Sequence, residues 1–75
     1  MSTPPEPIYK IIGQNIRRLR RQSKLSQTEL AELLDFKLFT SISDMERGKL
    51  RIQVHLLIEI ADLFGVSIQS LLEEV

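Results

Sequence analysis

The chain contains no cysteine and no tryptophan, and it has a single histidine, His55. Without cysteine there can be no disulfide framework and no thiolate zinc site. One histidine cannot build a histidine-based metal centre, and no set of nucleophile, histidine and carboxylate can be assembled around it. His55 falls in an apolar helical pattern, so we expect a structural role for it. These absences argue against an enzyme and against any cofactor or metal.

Long apolar runs are also missing. No segment approaches the roughly 18 residues of a membrane span, and no signal peptide opens the chain. The length of 75 residues allows one domain. We therefore expect a small protein of the reducing cytoplasm, with no membrane partner and no evident small-molecule ligand.

Net charge is zero, but the charges are not evenly distributed. All ten lysine and arginine residues lie between Lys10 and Arg51, a stretch with only five acidic residues and therefore a formal charge of +5. The residues after Arg51 include four acids and no lysine or arginine. A basic front and an acidic back suit a protein that presents one face to a polyanion.

Helical periodicity dominates the sequence, and no segment alternates as a strand does. Residues 1–7 hold three prolines and predict a disordered tail, which leaves 8–75 as the single domain. Apolar spacing predicts a first helix from Ile8. A capping box, Ser26-x-x-Glu29, predicts a second helix over 27–34, with its leucines in the core. The fold class is all-α, a compact bundle of five short helices.

The segment "FTSISDMERGK" predicts a short third helix. On a helical wheel one narrow apolar side faces inward, and a side of short polar residues faces outward. The inward side consists of Leu38, Ile42 and Met45, and the outward side of Thr40, Ser43, Asp44 and Arg47. Gly48 ends the helix in the left-handed conformation. A narrow core side and short outer side chains let such a helix lie close against a partner.

Two further helices complete the prediction. The segment 54–64 is apolar around much of its circumference, which predicts burial on more than one side, and Gly65 stops it. Ser67 caps a last helix over 68–74. Its apolar residues Leu71, Leu72 and Val75 exceed what a small core requires, so they are candidates for a dimer interface; closure of the monomer core is the alternative.

Three motifs in order, "LSQTELAELL", "ISDMERGK" and "LLIEIADLFGVSIQSLL", resemble the XRE family, the Cro and phage-repressor type of DNA-binding domain. The resemblance covers about residues 11–73. It implies a lambda-repressor-like bundle containing a helix-turn-helix. In that motif the first of the two helices crosses the DNA backbone, and the second enters the major groove.

The resemblance also implies residue roles. Gln27 matches a glutamine that contacts the DNA backbone and braces the recognition helix. Arg20 and Glu46 match a partly buried ion pair between the first and third helices. The remaining expected phosphate contacts are Lys37, Arg47, Lys49 and Arg51. Such contacts supply affinity and salt dependence rather than sequence choice.

Base contacts are expected from Thr40, Ser41, Ser43 and Asp44. Hydroxyl groups reach base edges or phosphates. Phe39 is expected in the core or in packing between helices, with contact to a thymine methyl as the alternative. The carboxylate of Asp44 would be repelled by nearby phosphates, which lowers DNA affinity, so its presence needs an explanation. Either its carboxylate accepts a hydrogen bond from cytosine N4, or it orients Arg47 three residues on; the second is slightly favoured.

Three positions depart from the family pattern. Asp35 stands where glycine commonly ends the second helix, and aspartate tolerates the left-handed conformation less well. The stretch "DFKLFTS" is one residue longer than the commonest form, which shifts the expected start of the recognition helix. Ile52 replaces a frequent proline, with a longer following helix or a looser loop as the expected consequences.

The primary hypothesis is a transcriptional regulator, a repressor or small controller, that binds a palindromic double-stranded DNA operator as a homodimer. It would act in the cytoplasm, on a bacterial or phage nucleoid. The alternative is a protein-interaction module or antitoxin-type adaptor whose main partner is another protein. Binding to random DNA at low salt distinguishes the two.

Overall fold

The computed structural model describes residues 7–35 and 40–74, with Thr40 described by its backbone alone. Within these ranges the chain forms five helices and no strand, which confirms the predicted all-α class. They are α1 (Pro7–Gln22), α2 (Gln27–Leu33), α3 (Thr40–Glu46), α4 (Val54–Phe64) and α5 (Ile68–Leu72). Residues 1–6 of the predicted tail over 1–7 lie outside the described residues, and Pro7 belongs to α1.

Helix α1 begins one residue earlier than predicted, because proline is well suited to the first position of a helix. It ends in a Schellman motif, where the Leu25 N–H donates to the Arg20 carbonyl and the Lys24 N–H donates to the Arg21 carbonyl. Lys24 takes the left-handed conformation (φ 59°) that this ending requires. The turn into α2 is therefore sharp and fixed, although no glycine marks it.

The core draws side chains from every helix. Its most deeply buried members are Ile12, Ile16, Leu30, Ile42, Met45, Ile60 and Leu71. Ile52 is also buried, in the loop before α4. It therefore anchors that loop by burying its side chain, and α4 begins at Val54 without being lengthened.

Two predictions of burial were wrong. Helix α4 buries mainly one face, through Leu57, Ile60 and Ala61, while Val54 and Ile58 are exposed. Leu33 of α2 is likewise exposed, because it lies about 60° to one side of Leu30, away from the face that Leu30, Leu34 and Ala31 bury. His55 lies on the exposed side of α4 and has no core role. The molecule thus presents more apolar surface than the sequence pattern indicated.

Helix α4 ends at Gly65 in the left-handed conformation, as predicted. The Ser67 side chain then caps α5 by accepting a hydrogen bond from the Ser70 N–H. Helix α5 stops at Leu72, two residues before the predicted end. Its end is held by Asn15, whose Nδ2 donates to the carbonyls of Leu71 and Glu73, each at 2.8 Å. This buried amide fastens the last helix to the first.

Candidate nucleic-acid interface

The start of α2 is fixed by the predicted capping box. The Ser26 Oγ accepts a hydrogen bond from the Glu29 N–H, and the Ser26 N–H donates to Glu29 Oε1 at 2.9 Å. The hydrogen bond from the Ser26 backbone N–H, and after it the Ser26 side-chain hydroxyl, lower the pKa of the Glu29 carboxyl below its ordinary value. The first turn of α2 is therefore held in one geometry, and Gln27 begins the helix there.

The turn between α2 and α3 begins as predicted and then passes outside the described residues. Asp35 takes the left-handed conformation (φ 60°) where the family commonly has glycine. Lys37, Leu38 and Phe39 lie outside the described residues, so their predicted roles are not addressed by the structure. Helix α3 starts at Thr40, whose backbone alone is described.

The two sides of α3 differ as predicted. Ile42 and Met45 are buried, whereas Ser41, Ser43 and Asp44 are half-buried. Arg47 follows on the exposed side. The surface that α3 presents is thus short-chained and polar.

Arg20, Gln27 and Glu46 form a hydrogen-bonded network behind α3. Arg20 Nε donates to Glu46 Oε2 at 2.6 Å and its Nη2 to Glu46 Oε1 at 3.2 Å, so the guanidinium grips the carboxylate with two nitrogens. Gln27 Nε2 donates to the same Oε1 at 3.1 Å. Arg20 Nη1 also donates to the Leu25 carbonyl. Helix α3 is therefore joined to α1, to the connecting loop and to the start of α2.

Burial makes this network costly to break. Only 9% of Arg20 and 5% of Glu46 is exposed, so water solvates neither charge well. Each charge is therefore stabilised mainly by the other. Removing one partner of such a pair costs about 3–5 kcal/mol, because a buried charge is left uncompensated. Gln27 is half-buried and shares Glu46 with Arg20.

Two glycines let α1 pack against the end of α3 at backbone distance. A methyl group on Gly13 would lie 2.2 Å from the Met45 carbonyl oxygen and 2.7 Å from that of Glu46. A methyl group on Gly48 would lie 2.6 Å from the Cα of Lys10. Gly48 also has φ 75°, the left-handed ending that was predicted. Glycine is thus required on both sides of this contact.

The basic residues after α3 are exposed. Arg47, Lys49 and Arg51 all face solvent. Arg47 Nη2 donates to Asp44 Oδ1 at 3.2 Å, which is the contact that an orienting role for Asp44 requires. An exposed pair of this kind contributes less than about 1 kcal/mol, so its effect is on side-chain direction more than on stability.

The predicted dimer interface needs a correction. Leu71 is fully buried, with 0% of its surface exposed, because α5 turns it into the core against α1 and α4. It closes the monomer core and is not available to a partner. Leu72 is exposed, and Val75 lies outside the described residues.

Gly13 and Asn15 were not singled out from the sequence. A glycine inside a helical pattern costs about 1 kcal/mol relative to alanine, which is itself a signal of close packing. Asn15 offers a weaker signal, a polar residue beside the apolar side of α1. Both fix the positions of other helices rather than contacting a ligand.

The comparisons with known proteins agree with this geometry. A family model described as Helix-turn-helix matches residues 16–71. The chain belongs to the XRE-type helix-turn-helix family. No curated protein sequence matches this helix-turn-helix protein.

Several solved structures share its fold. The restriction-modification controller protein C.AhdI from Aeromonas hydrophila is 25% identical with a TM-score of 0.74, over 84% of this chain and 94% of that one. The S. venezulae BldD DNA-binding domain is 30% identical with a TM-score of 0.76, over 91% of this chain and 100% of that one. The clp gene regulator ClgR from C. glutamicum is 26% identical with a TM-score of 0.77, over 89% and 87%.

Family and neighbours together make this helix-turn-helix protein a DNA-binding transcription regulator, and they point to a non-enzymatic one. Across 7–35 and 40–74, no helix is long and apolar enough to cross a membrane. In the same ranges no group of three or more histidine, cysteine or carboxylate side chains could hold a metal ion.

Proposed function

We propose that this protein is a repressor or controller that binds a palindromic DNA operator as a homodimer. One observation carries the proposal: a short helix with a polar outer side is held rigidly from behind and is followed by exposed cations. C.AhdI, a neighbour of similar size, is described as a controller protein, which supports this type of regulator. Binding to DNA would place the protein on a bacterial or phage nucleoid, in the cytoplasm.

Sequence choice is assigned to the outer side of α3. Ser41 and Ser43 are half-buried and short, so α3 can approach base edges without long side chains in the way. Thr40 opens the helix, at the end that enters the groove first. Asp44 directs Arg47 through their 3.2 Å contact, and a cytosine N4 is the base group its carboxylate can accept from.

Affinity is assigned to groups on both sides of α3. Gln27 lies at the start of α2, where free N–H groups favour a phosphate, and its amide is held in place by Glu46. Arg47, Lys49 and Arg51 are exposed after α3. Lys37, which lies outside the described residues, completes the set. These contacts act on any DNA sequence.

Dimerisation is assigned to α5. Ile68 and Leu72 are separated by four residues, so they share one side of the helix, and both are exposed. Val75 continues the same end of the chain and lies outside the described residues. A two-fold pair would place two copies of α3 about 34 Å apart, one turn of DNA, which doubles the specific contacts.

Selection of binding sites from random duplex DNA tests the operator proposal. We expect an enriched palindrome with half-sites about one helical turn apart. Ser43→Ala should change the preferred base at one position in each half-site, whereas Lys49→Ala should weaken binding to all sequences alike. Enrichment of no sequence, together with no retardation of random DNA at low salt, would refute DNA binding and favour the adaptor alternative.

Sedimentation tests the dimer surface separately. Leu72→Ser should shift the protein towards monomer at a given concentration and reduce operator binding. Leu33→Ser, a matched change at an exposed leucine of α2, should leave the association state unchanged. A monomeric wild-type protein, or equal effects of the two changes, would contradict the assignment.

A further inference from the structure

Helix α1 carries positive charge that the helix-turn-helix does not use. No acidic residue occurs from Pro7 to Gln22. Lys10, Arg17 and Arg21, here called the α1 basic stripe, are all exposed. In the part of the chain that the structure describes, two ion pairs form, Arg20 with Glu46 and Arg47 with Asp44, and neither includes the stripe.

This arrangement is unfavourable in the free protein. Arg17 and Arg21 are four residues apart on one helix side, where like charges repel. Position near the helix C-terminus offsets part of the repulsion for Arg21, since cations are favoured there. An external anion that bridges the two arginines would remove the remainder.

The stripe lies on the flank of α1 that borders the recognition helix. At 100° per residue, Arg17, Lys10 and Arg21 lie about 40°, 60° and 80° from Gly13 around the helix. Gly13 itself packs on the last carbonyls of α3. The Cα of Lys10 is the nearest atom to a methyl group built on Gly48.

The stripe therefore starts beside the loop that carries Lys49 and Arg51. Arg18 lies about 140° from Gly13, about 60° beyond Arg21 and further from α3, and its Nη2 donates to Asn15 Oδ1 at 3.3 Å. Arg18 thus contacts the side chain that holds the end of α5.

We propose that the α1 basic stripe binds phosphates of the same operator duplex, outside the segment read by α3. The inference rests on the proposed function and extends its contact surface along α1. Continuity with the cations after α3 and the absence of any acid on α1 favour a phosphodiester backbone as the occupant. Such contacts add affinity and salt dependence without adding sequence preference.

Salt titration of DNA binding tests this, with the whole chain and a selected operator that carries flanking base pairs. Arg17→Gln and Arg21→Gln should each lower the slope of log affinity against log salt by about 0.9 per lost phosphate contact. Between 50 and 200 mM salt this corresponds to about 3.5-fold less loss of affinity than wild type shows. On a duplex trimmed to the palindrome, the difference should shrink.

Arg17→Lys and Arg21→Lys are the matched controls, since each keeps the positive charge at its position. Both should retain the wild-type slope. Slopes for Arg17→Gln and Arg21→Gln equal to that of wild type would overturn the proposal. Unchanged slopes are the result expected if the stripe binds an acidic protein instead of DNA. A difference that does not shrink on the trimmed duplex would also overturn it, because net charge rather than the flanking phosphates would then be the cause.

Two further measurements distinguish failure of the stripe proposal from failure of the proposed function and from loss of folding. Wild-type protein that binds no duplex at all refutes the proposed function, whereas binding with unchanged slopes refutes only the stripe. Melting temperatures of Arg17→Gln and Arg21→Gln should not fall below that of wild type, because repulsion is relieved. A lower slope in a fully folded variant is therefore a change in DNA contacts.

Discussion

Replacement of Gly13 by alanine tests the contact that sets the position of the recognition helix. In an unconstrained helix the change would stabilise α1 by about 1 kcal/mol. Here the new methyl group would lie 2.2 Å from the Met45 carbonyl oxygen and 2.7 Å from that of Glu46. Both neighbours are backbone atoms, so no side chain can rotate away. Helices α1 and α3 would have to move apart by about 1 Å, and overpacking of this kind costs about 1–3 kcal/mol.

We therefore expect Gly13→Ala to lower the free energy of unfolding by about 0–2 kcal/mol, the overpacking cost less the helix gain. For a domain of this size, each kcal/mol lost lowers the melting temperature by about 4–8 °C. Urea unfolding followed by circular dichroism measures it, and operator binding at a temperature where the variant is folded reports any shift of α3.

Gly65→Ala is the control. It meets nothing within 4 Å but has φ 67°, so it should lose stability through strain alone and keep wild-type operator affinity. A Gly13→Ala variant about 1 kcal/mol more stable than wild type, with the same affinity, would show that the two helices are not in close contact.

Three further predictions concern the links between helices. Arg20→Ala should destabilise the protein by about 3 kcal/mol in urea unfolding, and a second change, Glu46→Gln, should restore part of that loss; additive losses would contradict a coupled pair. Asn15→Ala leaves two carbonyls at the end of α5 without their donor, so it should cost about 1–3 kcal/mol and speed hydrogen exchange in α5 before other helices. Because the pKa of Glu29 is lowered, its contribution to stability is complete above the ordinary glutamate pKa of about 4.3 and is lost as pH falls through the folded value. Glu29→Gln, which keeps an acceptor for the Ser26 N–H, should remove that part of the acid dependence.

Local signals in the sequence were sufficient to predict the five helices and several of their ends. The capping box at Ser26, the glycines that end α3 and α4, and the cap at Ser67 act within a few residues of themselves, so the sequence pattern contains them in full. The end of α1 escaped prediction because Lys24 occupies a left-handed position usually held by glycine or asparagine.

Burial was predicted less well, because it depends on how the helices are arranged in space. The apolar circumference of α4 suggested burial on several sides, yet Val54 and Ile58 are exposed. Leu71 and Leu72 are neighbours of the same type, and only their rotation about α5 decides which one closes the core. A single sequence does not contain that rotation.

Some features of the proposed site were likewise predictable from the sequence, and others were not. The family pattern was enough to expect contact between Arg20 and Glu46, and the structure brings them together. The same pattern could not show that Gln27 also donates to the Glu46 carboxylate. Nor could it show that Gly13 lets α1 pack closely against the C-terminal end of α3. Those features depend on distances between helices that are remote in sequence.

The attachments of α3 suggest how its specificity can change while the fold is kept. A helix of seven residues does not persist alone in water, so its position comes from its neighbours. Glu46 and the carbonyls beside Gly13 lie at its C-terminal end, and both are fixed by groups that no other residue type replaces without cost.

The residues proposed to read bases lie towards the other end, and Ser41 and Ser43 take no part in those attachments. We therefore expect substitution at Ser43, if it reads bases as proposed, to alter the operator without loosening the helix. Substitution at Glu46 loosens the helix whatever the operator.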